Sequence, residues 1–163
     1  MYRLAILYAP YSEEYIRLIE ELSGAFGELG LDVAIRGAKD AGVPDILAAD
    51  IVVFGSDHRD SQSGVSETKA SPAGKLNLHP DFGEMERAFE GINLAGKFAG
   101  FISMDGGPGP GLFKKALQYT EISTFADDLV FNRKGLTSEQ IHTWAKALYK
   151  KFEEGMYERE SSP

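Results

Sequence analysis

The stretch Asp50-Ile51-Val52-Val53-Phe54-Gly55-Ser56 decides how the whole chain is read. It is β-branched and nearly continuously apolar, with no polar alternation. A strand with one wet face alternates; a run like this one suits a strand buried on both faces, as in a parallel sheet covered by helices. Working back toward the N-terminus, residues 3–9 form a second compact apolar run, closed by Pro10. From Ser12 the period changes. Ile16, Ile19, Leu22, Phe26 and Leu29 recur at spacings of three and four, and Gly30 follows as a helix stop. Residues 31–35 read as a shorter strand weakened by Asp32, Gly42-Val43-Pro44 is punctuation, and residues 44–49 suit a short helix.

Downstream, residues 56–79 carry no periodicity and are rich in Ser, Asp, Gly and Lys. A structureless stretch of that length is uncommon in a compact domain, and is read as a functional or mobile loop. Phe82, Met85, Phe89 and Ile92 then give a helical face, and residues 97–103 a fourth strand. Gly106-Gly107-Pro108-Gly109-Pro110-Gly111 is read as a rigid small-residue loop before a helix over 112–119. Residues 122–131 hold a fifth strand, with Asp127-Asp128 the place for an interruption. The last helix starts at Thr137 or Ser138 as N-cap, with Ile141, Trp144, Ala145, Leu148 and Phe152 inward. Five strands separated by helices imply parallel pairing through right-handed crossovers, a three-layer α/β/α architecture. Residues 1–155 are read as one domain and 156–163 as a polar tail.

Composition narrows the function. Seventeen Lys and Arg against 25 Asp and Glu leave a net charge of −8. That balance disfavours nucleic acid and anionic membranes as partners. With no cysteine, disulfides, thiolate metal sites and cysteine nucleophiles are excluded. No apolar run approaches a membrane span, and the first ten residues do not make a signal peptide. A cytoplasmic location is expected.

In a doubly wound sheet, ligands sit beyond the carboxyl ends of the strands. Three loops leave those ends: Pro10 to Tyr15, Ser56 onward, and Ser103 to Gly111. The dinucleotide fingerprint G-x-G-x-x-G is missing, because the first turn is Ala9-Pro10-Tyr11-Ser12-Glu13-Glu14. A response-regulator receiver needs an acidic pair where Tyr8-Ala9-Pro10 stand. Ser103 has no His or Asp partner in sequence and no G-x-S-x-G around it. Asp57, His58 and Asp60 lack a third anchor for a metal and read as a solvated loop. His79 is read as structural at a helix start, His142 as solvent-facing and Trp144 as core. No catalytic set is legible, and no metal site.

The remaining match is a resemblance to the flavodoxin family over about 150 residues, by the order and spacing of elements. Ile6-Leu7-Tyr8 ahead of a turn is similar to the family's first strand, and the stretch 50–56, ending Gly-Ser, to its third. Residues 80–89 with Leu94-Ala95-Gly96-Lys97-Phe98-Ala99-Gly100-Phe101, and Trp144-Ala145-Lys146 in the last helix, resemble the family as well. The resemblance implies strand order 2-1-3-4-5, non-covalent FMN, electron transfer to a redox partner protein, and no catalytic residues of the chain's own. It places the cofactor among Pro10, Tyr11, Ser12, Tyr15, Ser56, Asp57, His58, Ser103, Met104, Asp105, Gly106 and Gly107.

The phosphate turn departs from the family pattern Ser-x-Thr-Gly-x-Thr. Ser12 alone keeps a small hydroxyl, Pro10 lacks an amide, and Glu13 and Glu14 bring two charges. A carboxylate about 6 Å from a phosphate costs about 1–3 kcal/mol at an effective dielectric of about 20–50. The alternative reading of Ser12-Glu13-Glu14 is an ordinary N-cap followed by acidic first-turn residues. The ring loops bring no Trp, Tyr or Phe of their own, leaving His58, Met104 or Tyr11 to stack. Two functions stay open: an FMN-binding electron carrier, and a cofactor-free binding or regulatory module on the same scaffold.

Overall fold

The structure is a computed structural model, which describes residues 1–56, 58–60, 76–132 and 135–161. The central sheet is parallel. Strand β1 (Arg3–Ala9) pairs with β2 (Asp32–Gly37) on one side and β3 (Ile51–Ser56) on the other. Strand β3 pairs in turn with a long strand at Phe98–Met104. The expected fourth strand is thus present, and the order is 2-1-3-4 followed by a split fifth position.

That fifth position is held by two short strands, both parallel to Phe98–Met104. Ser123–Thr124 pairs at its start and Leu129–Phe131 at its end. The interruption falls at Asp127-Asp128, as the sequence suggests. The Asp127 carbonyl, released from the ladder, accepts a hydrogen bond from the Trp144 indole at 2.8 Å.

The long segment after β3 is not wholly irregular. Its two ends, β4 (His58–Asp60) and β5 (Leu76–Leu78), form a small antiparallel ladder. Sequence periodicity misses strands of three residues. Residues 57 and 61–75 lie outside the described residues, and with them the expectation of a mobile or functional loop there. The remaining strands are β6 (Phe98–Met104), β7 (Ser123–Thr124) and β8 (Leu129–Phe131).

Two cores flank the sheet. One lies beneath α1 (Glu13–Glu28) and the last helix, and contains Leu4, Ile6, Ile51, Val53 and Ile102 from the strands. The inward face of α1 is Tyr15, Leu18, Ile19, Leu22, Ala25 and Phe26. It is turned slightly from the expected stripe, so that Ile16 and Leu29 are only half-buried. Gly30, at φ +91°, ends α1 in a Schellman motif: its N–H reaches the Gly27 carbonyl and that of Leu31 the Phe26 carbonyl. The other core contains Ala5, Leu7, Val52, Phe54 and Phe101. It is covered by α2 (Val43–Leu47), α3 (Gly83–Ala88) with its flanking 3-10 turns, and α4 (Gly109–Ala116).

Two boundaries differ from the sequence reading. Helix α4 begins at Gly109 rather than 112, because Pro110 sits in its first turn, where a missing N–H is harmless. The glycine-rich loop therefore ends at Pro108. The last helix, α5 (Ser138–Ser161), continues through Met156, so most of the stretch expected as a polar tail is helical. Thr137 is its cap: Thr137 Oγ1 accepts from the Gln140 N–H at 3.1 Å, and Gln140 Oε1 from the Thr137 N–H at 2.9 Å.

Candidate functional site at the carboxyl edge of the sheet

Register aligns the strand ends. Ala9 lies beside Ser56, and Ser56 beside Ser103, so the three loops expected to form a site leave the sheet side by side. The two serines are buried and hydrogen-bonded within the protein. Ser56 is 1% exposed, and its Oγ accepts from the His79 N–H at 3.0 Å. Ser103 is 3% exposed and donates to the Gly107 carbonyl at 3.2 Å. Each ties down the loop above it.

The first loop begins at the cis peptide between Ala9 and Pro10. Tyr11 then turns sideways, toward the end of β2. Its hydroxyl donates to Asp81 Oδ2 at 2.6 Å and accepts from the Lys39 N–H at 3.0 Å. Its ring lies so close to Gly37 that a Cβ there would meet it at 2.9 Å, and Lys39 Nζ sits 4.9 Å from the ring centroid. Burial, with the Asp81 carboxylate as hydrogen-bond acceptor, pushes the Tyr11 phenol up to about 12. This cluster ties the first loop to the turn after β2 and to the 3-10 turn at Pro80–Phe82. Asp81, Lys39 and His79 have no visible connection to Tyr11 in sequence, since the pairing spans up to 70 positions.

Ser12 is the N-cap of α1, with Oγ accepting from the Tyr15 N–H at 3.3 Å. Glu13 and Glu14 are exposed in the first turn. The ordinary-cap alternative thus describes this turn. Tyr15 is fully buried, its ring near those of Tyr8 and Phe131, and its hydroxyl lies over Gly55, where a Cβ would clash. It belongs to the core beneath α1. An aromatic residue four positions into the turn matched the spacing of a ligand contact and equally that of the helix's inward face.

The third loop is a tight turn. Asp105 and Gly106 have φ of +54° and +72°, and the Gly107 N–H donates to the Met104 carbonyl at 2.8 Å. Two successive left-handed residues closed by that bond make a type I′ turn, for which Asp-Gly is favoured. The Asp105 N–H is held by the Phe131 carbonyl at 2.6 Å, which anchors the turn to β8. Asp105 and Gly106 are exposed, and open space surrounds the Gly106 Cα where a side chain would stand. Met104 is half-buried against the core beneath α1. Behind the turn, Gly109 packs on the Ser56 carbonyl so closely that a Cβ would meet it at 2.8 Å. Of the twelve expected site residues, the described ones that reach solvent here are Pro10, Ser12, Asp105, Gly106 and Gly107, with parts of Tyr11 and Met104. Asp57 and the His58 side chain lie outside the described residues.

A scan against protein-family models and a search of curated proteins by sequence each find no match. Solved structures do match. A short-chain flavodoxin associated with a non-canonical PDU bacterial microcompartment superposes with a TM-score of 0.72 at 16% identity, covering 93% of this chain and 99% of that one. The flavodoxin of Fusobacterium nucleatum bound to flavin mononucleotide gives 0.68 at 14% identity, covering 93% and 99%. The rubredoxin oxygen:oxidoreductase of Desulfovibrio gigas gives 0.71 at 15% identity, covering 94% of this chain but 37% of that one. The chain is a doubly wound α/β protein with a flavodoxin-like fold. Among the described residues, no helix is long and apolar enough to cross a membrane.

Proposed function

We propose that this chain binds a flavin at the carboxyl edge of β1, β3 and β6 and serves in electron transfer. The observation that carries the reading is the alignment of three strand ends, Ala9, Ser56 and Ser103, at that edge, in a chain that superposes along nearly its whole length on flavodoxins, one of them holding FMN. The residues present divide in how they suit FMN. The ring end suits a flat heterocycle: Gly106 and Gly107 expose peptide edge without side chains, on a turn fixed by Phe131 and Met104. The phosphate end does not suit a dianion, because Ser12 caps its own helix and Glu13 and Glu14 occupy the first turn.

A bound flavin supplies the one- and two-electron chemistry. The chain supplies position and field. The Asp105–Gly106 turn and the Pro10 loop bracket the ligand, and the bonds from Ser56, Ser103 and Asp105 hold the loops in place. Asp105, Glu13 and Glu14 make the edge acidic, which disfavours added negative charge at the ligand. The same acidity favours a redox partner with a cationic docking face.

A second reading, a cofactor-free binding or regulatory module, is favoured by one set of observations: Tyr11, Ser56 and Ser103 are all satisfied within the protein. Reconstitution separates the two. Protein incubated with excess riboflavin or FMN and passed over a desalting column is expected to elute yellow, with a flavin that dithionite bleaches and air restores. Colourless protein, together with unquenched flavin fluorescence up to about millimolar ligand, overturns the electron-transfer reading.

A further inference from the structure

Resting on the flavin reading above, we infer that the site selects the unphosphorylated flavin, binding riboflavin at least as tightly as FMN. A doubly wound sheet of this order places its ligand at the switch point between β1 and β3. There a phosphate would be held by the open N–H groups of a helix N-terminus. Among the described residues, the helices of eight residues or more that follow a strand of this sheet are α1, α4 and α5, and α5 follows β8 at the sheet's edge, away from the switch point between β1 and β3. Helix α4 starts Pro108-Gly109-Pro110, with two prolines that have no N–H, and with Gly109 and Pro110 buried. That leaves α1.

At α1 one cradle amide is already taken, and the first turn is acidic. Ser12 Oγ takes the Tyr15 N–H at 3.3 Å. Pro10 has no N–H to offer. The amides of the first helical turn belong to Glu13 and Glu14, whose carboxylates compensate the positive end of the helix. A phosphate dianion arriving there meets both charges. Among the described residues, the cations Lys39 and Arg17 do not offset them. Lys39 is drawn over the Tyr11 ring at 4.9 Å, in a cluster with Asp81 and Asp40. Arg17 lies one turn further along α1, on the side shared with Glu14 and Glu21. The Asp105–Gly107 turn, by contrast, is open and makes no demand on a phosphate. The ligand class is therefore a flavin, or a similar flat heterocycle, without a dianionic tail.

The test is fluorescence quenching of riboflavin and FMN, separately, by the wild type, by E13Q/E14Q, and by E20Q/E21Q. The last pair is also exposed on α1, and it makes the same change in net charge beyond the first turn. The expected result is a riboflavin Kd equal to or below that of FMN in the wild type. In E13Q/E14Q, FMN should tighten about ten-fold or more while riboflavin stays within about two-fold; E20Q/E21Q should leave the ratio of the two flavins near that of the wild type. FMN binding ten-fold tighter than riboflavin in the wild type overturns the inference and leaves the flavin reading standing. An equal gain in E20Q/E21Q overturns it as well, by assigning the effect to overall charge. Absence of quenching by either flavin removes the flavin reading and this inference together.

Discussion

Tyr11 shows how one side chain can redirect a loop. A tyrosine in the first turn beyond β1 is positioned to cover a ligand, yet its hydroxyl finds Asp81 and the Lys39 amide, and its ring finds Gly37. The phenol holds its proton to about 12 in the folded protein, against an ordinary value of 10.0. Below about pH 10 both folded and unfolded phenols are neutral and stability is unaffected. Between about pH 10 and 12 the unfolded chain loses its proton first, so folding stability falls as pH rises. Tyr11→Phe should abolish that part of the alkaline slope and remove one late step from the ultraviolet phenolate titration. At neutral pH it should destabilise by about 1–2 kcal/mol, since it removes a hydrogen bond to a carboxylate. An unchanged titration curve would place the Tyr11 hydroxyl in open solvent.

At the scale of elements, agreement between sequence and structure follows how local the determining physics is. Strand β3 was legible because all six of its residues are buried, which leaves no polar position to blur the run. Helix α1 was legible through its period and its Schellman stop. The antiparallel ladder of β4 and β5 was not, because three-residue strands are too short for a period to register and are specified by each other. The start of α4 reads as loop in the sequence because Pro and Gly signal loops as strongly as they suit a first helical turn. Gly109 explains the glycine at that start: its Cα rests against the Ser56 carbonyl, a backbone atom that cannot rotate away. Gly109→Ala should therefore destabilise by about 1–3 kcal/mol through overpacking, although alanine is the better helix former. Urea unfolding measures it. A gain in stability would mean that α4 does not press on β3 at this point.

The whole molecule is a flavodoxin-like scaffold, and on that scale the sequence was informative because doubly wound sheets impose a regular alternation of buried strands and amphipathic helices. The site was less legible. Ser56 and Ser103 stand in the expected places but act as struts, and the bonds that make them so come from His79 and Gly107. Asp81 and Lys39, which fix the first loop, come from distant parts of the chain. Residue type and strand-end position locate a site; which of its groups remain free for a ligand is settled by long-range partners. The central claim is that a flavin sits over the Asp105–Gly107 turn and the Pro10 loop. Amide chemical-shift mapping of the labelled protein with riboflavin tests it most directly. The expected shifts fall on Tyr11, Ser12, Asp105, Gly106 and Gly107 and fade along the strands. Shifts confined to the groove between β8 and α5, around Val130 and Gln140, or no shifts at saturating riboflavin, would contradict it.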